Sequence, residues 1–266
     1  MSTALFRRTL KANWLLAAVF TVIVLIYVTT SLSMFNPRTA EDLEAMVDLL
    51  PEGLTRAMGF VNLGTDLTMY LANYLFGFIM IIFPMIYVII LANRLIARHV
   101  DSGAMAYLLT TPNTRSRIAT TQALYLALSL AVIFLVATLV AIVMASAMFP
   151  GRLDLGSYLG LNWVSYLSLL TAGGVSFLSS CSFNESRQSL ALGATVPVLF
   201  FVFRMVSALG DEVSWLQYLS IYSFIDVDRI VNEAGFILLA SAVQLPLAVL
   251  LFTGGIARFS RRSLPL

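Results

Sequence analysis

Three residue types with versatile chemistry occur once each in this chain: Lys11, His99 and Cys181. No G-x-x-x-x-G-K pattern can be built around Lys11, so the loop that cradles nucleotide phosphates is absent. One histidine excludes metal sites built on paired histidines, and it also excludes Ser/His catalysis. One cysteine excludes an internal disulfide and is expected to be a reduced thiol. Arg204 is different, because it ends an apolar run, Phe200-Phe201-Val202-Phe203. Two readings are open for it: a substrate contact facing a helix bundle, or a side chain that snorkels from near the end of its helix to lipid headgroups. Snorkelling is the expectation. Asn73, Asn162 and Gln244, with Pro197 and Pro246, read as interhelical hydrogen bonds and kinks. Arg204, Gln244 and Asn73 are also the candidates for a substrate path.

The elements that position these groups are long and apolar. Hydrophobic residues make up 59% of the 266, and mean hydropathy is +0.90. A hydrocarbon slab about 30 Å thick needs about 20 apolar residues of helix to cross it. In lipid each backbone N–H and C=O must be satisfied within the segment, which selects helix over strand. Six stretches qualify: Trp14–Leu32, Tyr70–Leu91, Ile118–Phe149, Trp163–Ser180, Leu190–Ala208 and Gly235–Ala257. The fold class is therefore all-α, a polytopic membrane protein with one six-span domain over residues 1–266. The third stretch exceeds one crossing and should tilt or project. The first has a basic flank but is too long for a signal-peptide core, and it lacks a small-residue cleavage site, so it is expected to be retained.

Basic residues set the orientation. With alternating spans, Arg7, Arg8, Lys11, Arg94, Arg98, Arg115, Arg117, Arg187, Arg258, Arg261 and Arg262 share one side. Only Arg38, Arg56, Arg152, Arg204 and Arg229 lie toward the other. The positive-inside rule then predicts both termini in the cytoplasm. No Asp or Glu sits near the middle of a span, so the acids that ion-coupled carriers use at depth are missing. Such a protein must draw energy from a partner or serve as a scaffold.

The segment Arg94–Arg117 is the most specific. A helix continues past the second span, and then Met105, Leu108 and Leu109 fall on one face at i, i+3 and i+4. Pro112 ends that element, because proline restricts the residue before it. An apolar face on the cytoplasmic side calls for a membrane surface or a groove on another subunit. Arg115 and Arg117 are expected to hold the next span at the headgroups.

This segment resembles the acidic-x-Gly-Thr, Leu-Leu, Pro-x-x-Arg block of permease subunits in the type-2 (ABC-2) family of ABC transporters. Asp101, Gly103, Leu108, Leu109, Pro112 and Arg115 fall on it, while Ala104 replaces the usual Thr and His99 stands where many members carry an acid. The stretch Leu49–Phe60 is similar to a segment of a drug- and sodium-export branch. The resemblance implies a type-2 exporter permease that works as a dimer, either a homodimer or paired with a similar permease. It implies two copies of a separate ATP-binding cassette subunit as partners. ATP and Mg would be bound there, and residues 94–117 would act as the coupling segment. No cofactor, metal or catalytic residue is expected in this chain, nor any nucleic-acid partner. The substrate would be hydrophobic or amphipathic (a drug, peptide or lipid), and the setting the cytoplasmic membrane of a prokaryote. The alternative is a membrane scaffold or sensor that docks a cytoplasmic partner.

Residues 34–68 should form an outer-face loop with an amphipathic helix, because Leu43, Met46, Val47 and Leu50 repeat at helical spacing opposite Glu41, Asp42, Glu44 and Asp48. Between the last two spans, Trp215, Leu216, Tyr218, Leu219, Ile221, Tyr222 and Phe224 are too apolar for a free loop. Short re-entrant helices buried in protein are expected there.

Overall fold

The computed structural model describes residues 2–36, 67–109 and 114–262. The outer amphipathic helix, the Leu49–Phe60 stretch and Pro112 lie outside these residues. Among the described residues every regular element is helical, and six helices are long and apolar enough to cross a membrane. The first is α1 (Thr3–Met34). The second span is composite: α2 (Leu67–Tyr74), a π segment (Leu75–Ile79), α3 (Met80–Leu95) and, past a bend at Ile96, α4 (Ala97–Asp101). A short α5 (Ala104–Leu109) follows. Then come α6 (Arg115–Met148), α7 (Leu155–Ser182), α8 (Ser186–Ser207), two 3-10 segments (Asp211–Leu219 and Ile221–Phe224), α9 (Val227–Asn232) and α10 (Ala234–Arg261). At 1.5 Å per residue α6 is about 50 Å long, well beyond the slab.

α7 is the hub. It packs against α10, α3, α8 and α6, whereas α1 runs mainly along α6. Its most apolar window is 72% buried, against 22% for α1, α8 and α10, although its mean hydropathy is the lowest of the six at 1.3. The inversion has a physical cause. Lipid is as apolar as leucine, so apolar surface gives no reason for helices to associate; close approach and hydrogen bonds do. α7 supplies both. A Cβ on Gly173 would meet Leu126 at 3.0 Å and one on Gly174 would meet Leu251 at 3.0 Å, so α6 and α10 are seated directly on its backbone. Several of its hydroxyls bond back to carbonyls four residues earlier, as Ser168 does to Val164 and Thr171 to Leu167, which makes polar residues tolerable within the membrane.

The contact with α8 combines the two devices. Ser176 Oγ donates to the Gly193 carbonyl at 2.7 Å, and Ser179 Oγ donates to the Ser189 carbonyl at 2.9 Å. The pair sits one turn apart on α8. Outward-facing leucines and valines complete the pattern, with Leu135, Val143, Leu238 and Leu250 all exposed.

Caps end the helices cleanly. Asp154 accepts from the Gly156 and Ser157 amides at the start of α7. The Ser157 hydroxyl, above all, holds its carboxyl below the ordinary carboxylate range. The Asp154 amide donates to Thr68 Oγ1 at 2.8 Å, which joins the starts of α2 and α7. In the segment expected to be buried between the last two spans, Ile221 and Tyr222 are buried, but Trp215, Tyr218 and Leu219 in the first 3-10 segment are exposed.

A Cβ at Gly193 would lie 3.3 Å from Ser176 Cα, a backbone atom that cannot rotate away. Gly193→Leu should therefore lower stability by about 1–3 kcal/mol, read as a drop in thermal midpoint in detergent. Gly235→Leu, with open space around it, should leave the midpoint unchanged.

Candidate functional site: a braced hinge after the second span

At Ile96 the second helix breaks, with φ −128° and ψ −66°. In an unbroken helix the Ala97 amide would bond the carbonyl four residues back, at Asn93. Instead it donates to Ser180 Oγ at 2.9 Å, and the same hydroxyl donates to the Ala92 carbonyl at 2.8 Å. All three residues are fully buried. A hydroxyl can donate and accept at once, so one α7 side chain satisfies both sides of the break.

His99 repairs a second gap. Its Nδ1 lies 2.8 Å from the Arg94 carbonyl, whose helical partner would have been the Arg98 amide. A carbonyl only accepts, so Nδ1 carries the proton. A carboxylate at this position could not donate this bond. The chain then resumes helix, with the His99 and Val100 amides on the Ile96 carbonyl at 3.0 and 3.1 Å.

α4 ends in a turn that needs glycine. Gly103 has φ +72°, a left-handed conformation in which a Cβ is strained, and its amide bonds the Val100 carbonyl at 3.0 Å. Asp101, Ser102 and Gly103 are exposed. The direction of α5 corrects the expectation for Met105. It does not face outward to a partner; it is 1% exposed and belongs to the hydrophobic core of the bundle. Among the side chains described in α5, Tyr107 is 80% exposed. Leu108 and Leu109 occupy the last turn of α5.

Arg115 also does more than sit at headgroups. Its Nη1 donates to the Arg262 carbonyl at 2.6 Å, beyond the end of α10. The Arg262 guanidinium in turn donates to the Cys181 carbonyl at 2.9 Å and to Asn184 Oδ1. Two arginines thus join the start of α6, the end of α10 and the α7–α8 turn, the same end of the bundle that carries the hinge.

The substrate-path candidates separate. Asn73 and Arg204 line one cavity of 260 Å³, near the opposite end, with Gly77, Gln217, Asp226 and Asp228. Arg204 does not snorkel. Its guanidinium donates to the Ile225 carbonyl at 2.9 Å and to the Gly77 carbonyl, within the π segment, at 3.3 Å. Those carbonyls meet the charge inside the protein, which removes the need to reach lipid headgroups. Gln244 is apart from this cavity. It is fully buried, and its amide donates to Ser168 Oγ at 2.8 Å and to the Ile221 carbonyl at 3.2 Å. It is an interhelical tie.

Sequence reasoning missed Ser180, Ile96 and Arg262 as members of the site. The cluster Ser179-Ser180 at the polar end of an apolar run was a faint signal, and nothing local marked Ile96.

Six helices long and apolar enough to span a membrane thus pack around α7, with a braced hinge at one end. The family model described as "ABC-2 family transporter protein" matches residues 6–264. The chain belongs to the ABC-2 transporter family, as a membrane component of an ABC transporter. No curated protein matches it.

Ser180→Ala orphans a buried N–H and a buried C=O. It should cost about 2–6 kcal/mol, at about 1–3 kcal/mol for each of the two unsatisfied groups. Thermal unfolding of the purified chain checks this. Ser182→Ala, which loses only a bond within its own helix, should stay within about 0.5 kcal/mol of wild type.

Proposed function

We propose that the chain is the permease subunit of an ATP-driven exporter. It forms a translocation path as a dimer and couples to two separate ATP-binding cassette subunits, which bind ATP and Mg. The end that carries the hinge, the two arginine ties and both termini faces the cytoplasm of a prokaryote, as the basic-residue asymmetry supports. The cargo is hydrophobic or amphipathic, since the spans offer hydrocarbon, aromatic rings and a few amides but no acid at depth. Residues 94–117 are the coupling segment.

The single observation that carries the coupling reading is the brace at Ile96. A segment that transmits force must be rigidly joined to the helices it moves. Here the segment's root is bonded to α7, the helix that touches most of the bundle. Because Met105 anchors α5 from within, the partner contact shifts to the exposed side, to Tyr107 and the Asp101–Gly103 turn.

Tyr107→Glu should weaken capture of the ATP-binding subunit by about 2–4 kcal/mol, the range of an aromatic anchor at an interface. It should leave membrane insertion unchanged. Met105→Ala should do the reverse, lowering permease stability by about 2–5 kcal/mol. Pull-down of the ATP-binding subunit, alongside ATP turnover in nanodiscs, separates the two effects. Undiminished capture and transport by a variant combining Tyr107→Glu with Asp101→Ala would remove this segment as the coupling element, and would favour a scaffold that docks its partner elsewhere.

A further inference from the structure

A cavity of 460 Å³ opens beside the hinge, between the end of α3, α4 and the start of α8. Arg94 and Arg98, on either side of the break at Ile96, line it, and neither is ion-paired among the described residues. Asn93 donates from Nδ2 to Ser186 Oγ at 2.8 Å, which leaves the Ser186 hydroxyl proton free to be donated. The Asn93 Oδ1 is buried without a partner. Ser186 is also the first residue of α8, a helix of 22 residues whose N-cap, Glu185, makes no side-chain cap bond. The first-turn amides therefore add positive potential at the cavity's edge. Asp101 contributes a carboxylate to the lining, and Ser102 a second hydroxyl.

The remaining lining is apolar. Ile90 and Leu190 face the cavity from the membrane side, with Leu190 40% exposed. The cavity thus straddles the boundary between hydrocarbon and the basic zone. Its chemistry asks for two things in one molecule: an anionic group for two guanidinia and the Ser186 hydroxyl at a helix start, and hydrocarbon beside Ile90 and Leu190. Basic pockets between helices at the cytoplasmic face meet such groups in anionic phospholipids.

We propose that this cavity binds the headgroup of an anionic phospholipid of the cytoplasmic leaflet. Its phosphate lies on Arg94, Arg98 and Ser186, and its acyl chains pass over Ile90 and Leu190. The lipid would bridge the root of the hinge to α8. The proposal rests on the orientation given under Proposed function but not on coupling, and its test reads lipid retention without ATP turnover, so either reading can fail alone.

The test uses the full chain, purified and delipidated, with phosphatidylglycerol or phosphatidylcholine of identical acyl chains, read by native mass spectrometry. Wild type should retain one phosphatidylglycerol in preference to phosphatidylcholine. Arg94→Gln with Arg98→Gln should cut that preference about thirtyfold, at about fivefold for each arginine near an anionic surface. Arg94→Lys with Arg98→Lys should keep most of it, and this pair carries the test if the glutamine variant fails to fold. Equal retention of the two lipids by wild type, or an unchanged preference in the glutamine variant, overturns the proposal. So does binding of inorganic phosphate alone at these arginines with no lipid preference, which makes the site one for free phosphate. Loss of ATP-binding-subunit capture with lipid retention intact assigns the arginines to a protein contact and overturns it too.

Discussion

Everything in this molecule leans on one surface, the small and hydroxyl-bearing face of α7. In a membrane, apolar side chains cannot drive helices together, because lipid satisfies them equally well. What remains is the contact that only another helix can make. α7 makes it with glycines that bring α6 and α10 onto its backbone, and with serines that donate across the gap to α8. Gln244 and Ser168 extend the same logic to the second 3-10 segment through the Ile221 carbonyl. The polar helix is central because it is polar.

The same surface ends in Ser180, and here packing becomes mechanism. A broken helix within a buried region leaves donors and acceptors that would each cost free energy. Ser180 from α7 and His99 from within the segment satisfy them, so the bend at Ile96 is a defined joint. Gly103 then reverses the chain with a positive φ, and Met105 pins α5 to the core. Displacement of the turn would pass through these bonds to the hub. The arginine ties from Arg115 and Arg262 hold the surrounding helix ends at the same level.

Much of this was legible in the residues. Six apolar runs of sufficient length and little charge admit only spanning helices, and the structure extends most of them by a turn or more into their polar flanks. Gly103 could be read from its motif, and its φ explains why the motif holds glycine. The direction in which α5 turns was not legible. Met105, Leu108 and Leu109 share a face by spacing, but spacing does not say whether that face looks toward a partner or back into its own bundle. Arg204 posed the same difficulty. A lone charge near a helix end suggests lipid headgroups, whereas its real partners are carbonyls at Gly77 and Ile225, exposed by irregular backbone far away in sequence. Gln244 and Ser180 act through pairings 76 and 83 residues distant, which no local pattern encodes.

The central claim is that residues 97–109 form a rigid extension of the bundle, not a loop. Hydrogen–deuterium exchange of the intact chain in nanodiscs measures this directly. The account predicts that the amides of Ala97, His99 and Val100 exchange as slowly as those at the end of α7. It also predicts that Ser180→Ala releases them while the amides of α10 stay protected. Fast exchange of the Ala97–Val100 amides in the wild-type chain, at the rate of an unstructured loop, would contradict it.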